Sequence, residues 1–353
     1  MSITRNPDGS YTIPATDLYT LIGQLDLGQL ATDAGVTTTT PAPTPTPVPP
    51  PVPTPTPTSH AFKGIYNFGS NGSSLATNPS IAGTYLGYAW AQLEPQQGQF
   101  NWTQLDADMK PWLDNGKNII LRVSPSGWTK WKTPPLKSWT PPWVYSLGVQ
   151  SVTEDDQAIK PQYWAPAFLQ AYSAFVTALA TRYDGNPHLI CVEIGVGDGG
   201  ETKPDTRNNP KRLAMWQKIG YTDAVWWDTI QKIIKIYQQS FKQTPLALMP
   251  NASFIAGSKG FAEKQIIDLA VSQNPPIWLQ ENGIIAGQKT NPEWLKTTIL
   301  AEQRLVTSQS GDTLAQDLQL MIDWGASYAL CFEADLSDTK NTATLKQYAA
   351  MVK

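Results

Sequence analysis

From residue 61 onward, short apolar runs alternate with longer stretches whose apolar positions recur every three or four residues. The runs are AFKGIYNFG, TYLGYAW, NIILRVS, LICVEIG, PLALMPN, PIWLQEN and, near the C-terminus, YALCFEA. Runs of this length bounded by turn residues predict strands. Between them, Phe168, Tyr172, Phe175, Val176, Leu179 and Tyr183 share one helical face, as do Trp226, Ile230, Ile233, Ile234, Tyr237 and Phe241. Leu314, Leu318 and Met321 repeat the spacing, with Asp312 placed as the N-cap and Gly325 just past the end.

Alternation of strand and helix over so long a stretch predicts a parallel sheet covered by helices. Seven strands are visible, and RLVTSQ offers a weak eighth. Size and count favour an α/β fold of the (β/α)8 TIM-barrel type. A doubly wound open sheet is the alternative. Against it, GVGDGG follows a strand but opens no helix of the kind a phosphate-binding loop needs.

The pattern breaks down before residue 60. Residues 37–59 are almost wholly Pro and Thr. Proline lacks a backbone donor and fixes φ, so this stretch forms neither helix nor sheet. It is expected to be disordered or polyproline II, a spacer of about 3.1 Å per residue and on the order of 60 Å when straight. Residues 1–36 are too few to bury a core alone. ITRNPDGSYTIP predicts a small hairpin turning at Pro7-Asp8-Gly9, and Leu18, Leu21, Ile22 and Leu25 fall at helical spacing. The expected organisation is an N-terminal anchor (1–36) that docks on another protein, a linker (37–59) and a barrel domain (60–353).

Composition narrows the chemistry. The net charge of −3 comes with no basic run, which argues against nucleic acid and against an anionic membrane surface. No apolar run reaches the roughly 18 residues of a membrane span, and the N-terminus lacks the basic start and apolar core of a Sec signal. The two cysteines, Cys191 and Cys331, lie in separate strand-like runs and are expected to be buried free thiols. The two histidines, His60 and His188, leave little room for a Ser-His-Asp triad or a multi-histidine zinc site. Carboxylates and 14 tryptophans suit carbohydrate chemistry, which uses paired acids and flat aromatic surfaces.

In a barrel the chemistry lies at the C-terminal strand ends. The fourth run ends in Glu193, followed by Asp198 and Glu201 in a glycine-rich loop, and the sixth ends in Gln280, Glu281 and Asn282. Two carboxyls on facing strand ends are what glycoside hydrolysis requires. Other strand ends supply Asn67, Trp90, Arg122, Asn251 and Glu333 as candidate substrate contacts. The long loop PSGWTKWKTPPLKSWTPPWVY carries four tryptophans, of which Trp128 and Trp131 are expected to stack on sugar.

YAWAQLEPQQGQFNWTQLD and RYDGNPHLICVEIGVGDGGE resemble segments of the clan A glycoside hydrolases, (β/α)8 barrels that include cellulases and family 42 β-galactosidases. The resemblance implies retaining hydrolysis of a β-linked sugar without a cofactor. That clan carries Asn-Glu directly after its fourth strand, where this chain has Val196 and Gly197. The acid/base role therefore passes to Glu201, with Glu193 and Asp198 as rivals. The clan's nucleophile sits on the seventh strand. Glu281 carries that role best by local sequence, though its run counts as sixth, and Glu333 is the reserve. The alternatives to an enzyme are a carbohydrate-binding barrel without turnover and a structural appendage. An anchor, a spacer and a sugar-active barrel without a Sec signal fit an extracellular or virion-associated protein, anchored to a bacteriophage capsid or tail protein.

Overall fold

The computed structural model describes residues 4–5, 11–12, 61–69, 72–129, 134–154, 157–205, 210–252, 263–285 and 292–352. The chain divides into two units, Met1–Thr56 and Pro57–Lys353. In the first, Thr4–Arg5 pairs antiparallel with Tyr11–Thr12. The expected linker, the apolar stripe from Leu18 to Leu25 and the Pro7-Asp8-Gly9 turn lie outside the described residues.

The second unit is a closed barrel of eight parallel strands. In chain order these are β1 (Gly64–Phe68), β2 (Gly83–Ala89), β3 (Asn118–Ser124), β4 (Leu189–Glu193), β5 (Leu246–Leu248), β6 (Trp278–Ile284), β7 (Ile299–Gln303) and β8 (Tyr328–Phe332). Each pairs with the next, and β8 closes on β1 from Tyr328↔Gly64 to Phe332↔Phe68. The larger helices are α1 (Trp102–Leu113), α2 (Pro166–Tyr183), α3 (Pro210–Lys218), α4 (Asp223–Ser240), α5 (Glu263–Val271), α6 (Leu314–Asp323) and α7 (Thr342–Ala349). This is the expected TIM barrel. The strand missing from the sequence count is Ile299–Gln303, not RLVTSQ. Residues of RLVTSQ instead form a turn and enter the short helix Thr307–Ser310.

The helices form where the apolar faces lie. Phe168, Tyr172, Phe175, Val176 and Leu179 of α2 are all fully buried, with Pro166 at the first turn, where its missing donor costs nothing. Thr222 caps α4 by accepting from Val225 N at 3.1 Å. The cap of α6 is Thr313 rather than Asp312. Gln316 N donates to the Thr313 hydroxyl, and Thr313 N donates to Gln316 Oε1 at 2.7 Å. Threonine with glutamine three residues on satisfies two orphan donors reciprocally, which Asp312 could not.

Strand alternation sorts the side chains into two cores. Ile65, Leu86, Leu121, Val192, Leu279 and Cys331 face the helices in one buried cluster. Tyr66, Tyr85, Ile120, Cys191, Leu300 and Leu330 fill the barrel interior in another. Cys191 and Cys331 are thus both buried and free, on opposite sides of the barrel wall.

Candidate active site

The barrel interior changes character one step toward the C-terminal strand ends. Ile120 on β3 is followed two residues later by Arg122, Cys191 on β4 by Glu193, Trp278 on β6 by Gln280, and Leu300 on β7 by Glu302. Period-two alternation points each pair to the same face, so an apolar floor carries an ionisable layer. Above it opens a cavity of about 640 Å³, within the usual range for a small-ligand site, with Phe68, Tyr85, Arg122, Trp139, Glu201 and Glu302 in its wall.

Glu193 is fully buried beneath this cavity. The Tyr85 hydroxyl donates to its Oε2 at 2.7 Å, and Arg122 Nη1 lies 3.6 Å from the same oxygen. Burial raises its carboxyl above the usual range, with Arg122 and Tyr85 acting against that rise. Glu302 accepts from Gln280 Nε2 at 3.3 Å. Burial pushes Glu302 up to about 8; Arg122 opposes the rise, while the Glu193 and Glu201 charges add to it. Glu201 is arranged differently. Its Oε2 accepts from Asn251 Nδ2 at 2.7 Å and lies 2.5 Å from Lys203 Nζ, and its Oε1 accepts from Asn282 Nδ2 at 3.0 Å. Both oxygens act as acceptors, the pattern of a carboxylate.

The loop that carries Glu201 is knitted by its own backbone. Gly197 N donates to Glu201 O at 2.9 Å, Asp198 N to Lys203 O at 2.9 Å, and Gly199 N to Ser126 O at 2.9 Å. Gly197 has no room for a side chain, because a Cβ there would stand 2.1 Å from Lys203 O. Gly200 has φ of +93°, and a Cβ would meet Arg122 Cδ at 2.7 Å. A buried ion cluster fastens the same loop to the connection after β3. Lys160, on a small hairpin (Ser151–Thr153 with Ile159–Pro161), places Nζ 2.7 Å from Asp198 Oδ2, 2.8 Å from Glu154 Oε1 and 3.5 Å from Asp205 Oδ1. Arg212 Nη1 adds a contact to Glu154 Oε1 at 2.8 Å. Burial, with Asp205 as a hydrogen-bonded neighbour, pushes Glu154 up to about 7 against the pull of Lys160.

Of the residues expected from sequence, Glu201, Arg122 and Asn282 line the cavity, and Asn251 reaches it through Glu201. Asp198, a rival acid, is committed to Lys160. Glu281 is half-buried on β6, and alternation places it on the side of Leu279, between Gln280 and Asn282, which face the interior and the cavity. Glu333 is half-buried at the start of the short helix Glu333–Ser337 and is not in the cavity wall. Asn67 is fully buried in β1, donating to the Thr84 hydroxyl at 3.2 Å.

Trp90 is a correction: it has no exposed surface and cannot meet a sugar. It packs among Trp143, Phe168, Tyr172 and Phe175 and donates Nε1 to Glu94 Oε2 at 2.7 Å. Glu94 Oε1 in turn accepts from Gly98 N at 2.8 Å, so the EPQQG stretch is a turn locked by its own glutamate. Trp128 is half-buried outside the cavity wall, and Trp131 lies outside the described residues. Among the described tryptophans of that loop, Trp139 reaches the cavity. Sequence reasoning also missed Glu302, Tyr85 and Lys203. The signal for Glu302 was present, since Leu300 and Glu302 share parity once ILAEQ is taken as a strand. Among the described residues, no group of three or more His, Cys, Asp or Glu side chains could hold a metal ion.

A parallel barrel with carboxyls gathered at the C-terminal strand ends is the architecture of many glycosidases. Residues 80–237 match the family model described as glycoside hydrolase family 42, beta-galactosidase, a stretch from the approach to β2 into α4 that includes Arg122, Glu193 and Glu201. The fold is similar to that of the crystal structure of the catalytic domain of beta-amylase from Paenibacillus polymyxa, with a TM-score of 0.56 at 12% identity over 84% of this chain and 99% of that one. No curated protein matches the sequence significantly. The family match and the barrel together support a glycoside hydrolase enzyme acting on a saccharide.

Proposed function

We propose that this protein hydrolyses a β-linked, uncharged oligo- or polysaccharide, with Glu201 and Glu302 as the reacting pair. The observation that carries this reading is the meeting of two carboxyls, one after β4 and one on β7, in the wall of a single cavity. Glu302 takes the nucleophile's place that sequence reasoning gave to Glu281, because it stands on the seventh strand and reaches the cavity. In the resembled clan, the group after the fourth strand gives the proton and the group on the seventh attacks. On that allocation Glu201 protonates the leaving oxygen as the C1–O bond breaks. Glu302 bonds to C1, and water then releases the sugar with its configuration retained.

One observation favours the reverse allocation. Arg122 and Lys203 face three carboxyls, Glu193, Glu201 and Glu302, so the cluster is neutral when it holds one proton. Burial and the charges of its acidic neighbours favour Glu302 as the holder of that proton. The reacting form holds one proton between the two carboxyls, whichever of them delivers it.

The test uses the full chain and its Glu201→Gln and Glu302→Gln forms on plant and bacterial polysaccharides, following new reducing ends and binding. Hydrolysis lost in both variants supports the pair. Binding without hydrolysis in the unaltered protein would favour the carbohydrate-binding reading instead. A 2,4-dinitrophenyl β-glycoside, whose leaving group needs no proton, separates the roles: the proton donor's variant still releases dinitrophenol and the other does not.

The tether is a further part of the proposal, supported by composition alone. The Pro/Thr stretch spaces the barrel from an anchor in residues 1–36, and a bacteriophage particle is the proposed anchorage. Mass spectrometry of purified particles in which this chain is never found would remove it.

A further inference from the structure

Glu193 takes no part in the chemistry above, yet it is an ionisable group sealed beneath the cavity floor. Its exposure is 0%, and its Oε1 has no hydrogen-bond partner among the described residues. Its Oε2 is fixed from two strands, by Tyr85 on β2 and Arg122 on β3. Those two are themselves in contact, the guanidinium lying 5.1 Å from the Tyr85 ring centroid. Both also line the cavity with Glu302. A buried carboxylate costs several kcal/mol unless paired, so such a group is kept at a site that uses its field.

We infer that Glu193 is a positioning residue for the reacting pair: held by Tyr85 and Arg122 behind the cavity, it keeps the pair's one proton in place. This rests on Glu201 and Glu302 being that pair. The groups facing Glu302 are Arg122 on β3, Glu193 on β4, Glu201 on the loop after β4, Gln280 on β6 and Tyr85 on β2. Arg122 draws the proton off, while Glu193 and Glu201 hold it. Replacing Glu193 by glutamine removes one holding charge. It also relieves Arg122 of one carboxyl and leaves it to Glu302 and Glu201, so both effects release the proton at lower pH. A glutamine still accepts the Tyr85 hydroxyl, which favours folding of the variant.

The first measurement needs no substrate. Urea midpoints of the full chain are followed from pH 5 to 9.5, with and without Glu302→Gln, so that the difference isolates the Glu302 proton. The expected result is a fall ending near pH 8 in the unaltered protein. With Glu193→Gln that fall ends about one pH unit lower or more. Tyr85→Phe, which strips the donor from Glu193 and so draws the proton toward it, shifts the fall the same way and serves if Glu193→Gln does not fold. The second measurement follows hydrolysis of 4-nitrophenyl β-D-galactopyranoside, where the alkaline limb of kcat/KM moves down by the same interval while KM holds. An unmoved urea profile overturns the inference. A moved urea profile in a protein that hydrolyses no glycoside sinks the enzymatic reading and leaves the coupling of Glu193 to Glu302 standing.

Discussion

Asn282 donates its Nδ2 to Glu201 Oε1 across 3.0 Å, from the strand on which its neighbour Glu281 is turned to the other side. One residue of parity on β6 therefore separates a cavity group from a wall group. Glu281→Gln is expected to leave kcat/KM within about 3-fold of the unaltered protein, since Glu281 is not in the cavity wall and a change away from the reacting groups costs little. Glu201→Gln and Glu302→Gln are each expected to lower kcat by about 10²–10⁴-fold on a saccharide with a poor leaving group. Steady-state kinetics on the three variants checks this, and a Glu281 variant as impaired as the other two would return the nucleophile to β6.

Two buried acids give stability a definite slope with pH. Glu302 is pushed up to about 8 and Glu154 to about 7, both above the usual glutamate value. A raised acid holds its proton in the folded state after the unfolded chain has released it. The stabilisation is full below the unfolded value near 4.3, and it is lost as pH rises through the folded one. Unfolding free energy is therefore expected to fall between about pH 4.5 and 8, by up to about 1.4 kcal/mol per pH unit for each group while it titrates. Glu302→Gln should flatten the upper part of this fall. A stability profile that rises over the same interval would contradict both assignments.

The barrel was legible because seven of its strands are dominated by apolar residues between turns, and because α2, α4 and α6 keep a strict apolar face. β7 escaped because ILAEQ places Glu302 and Gln303 in a five-residue strand, and buried ionisable groups break the apolar signature that marks such strands. RLVTSQ looked more strand-like because Val306 and Thr307 are β-branched, yet it begins just past the strand end. The same displacement left Glu281, rather than Glu302, as the sequence's candidate on the later strands. Glu201, which lines the cavity, was legible as a candidate because the glycines around it announce a tight loop. What local sequence could not hold was the third dimension. Trp90 and Trp139 both follow a strand-like run, but Trp90 packs against α2 and Trp139 lines the cavity.

Lys160 ties that loop to the hairpin after β3, and its loss should be felt at a distance. Lys160→Met would leave Glu154, Asp198 and Asp205 buried around an apolar side chain. Breaking a buried pair on one side costs about 3–5 kcal/mol, because the stranded charges remain. Urea unfolding should show a loss of that size. Circular dichroism should show the barrel still folded at low denaturant, with kcat reduced because Asp198 stands three residues before Glu201. A variant of unchanged stability would mean that the carboxyls shed their charge, and the Lys160 contacts would then contribute nothing net.

The electrical balance of the cavity wall points to the kind of sugar that fits. Among the described residues of that wall, Arg122 is the cation, and Asp108, Glu201 and Glu302 are the acids. Arg122 is already spent on Glu193 at 3.6 Å, and Lys203, nearby, on Glu201 at 2.5 Å. A sugar bearing its own carboxylate would meet acids and no uncommitted cation, and a charge desolvated without a partner is costly. Phe68, Tyr85 and Trp139 contribute apolar edges to the wall, which suit a neutral pyranose better than a charged one. A 4-nitrophenyl β-glucuronide is therefore expected to be hydrolysed at least about 100-fold less efficiently than the best neutral β-glycoside, equivalent to about 2.7 kcal/mol of discrimination. The comparison of kcat/KM across matched galactoside, glucoside and glucuronide decides it. Should the glucuronide be preferred, Arg122 must release Glu193 to bind substrate, and Glu193 would then act on the sugar's charge rather than on the pair's proton.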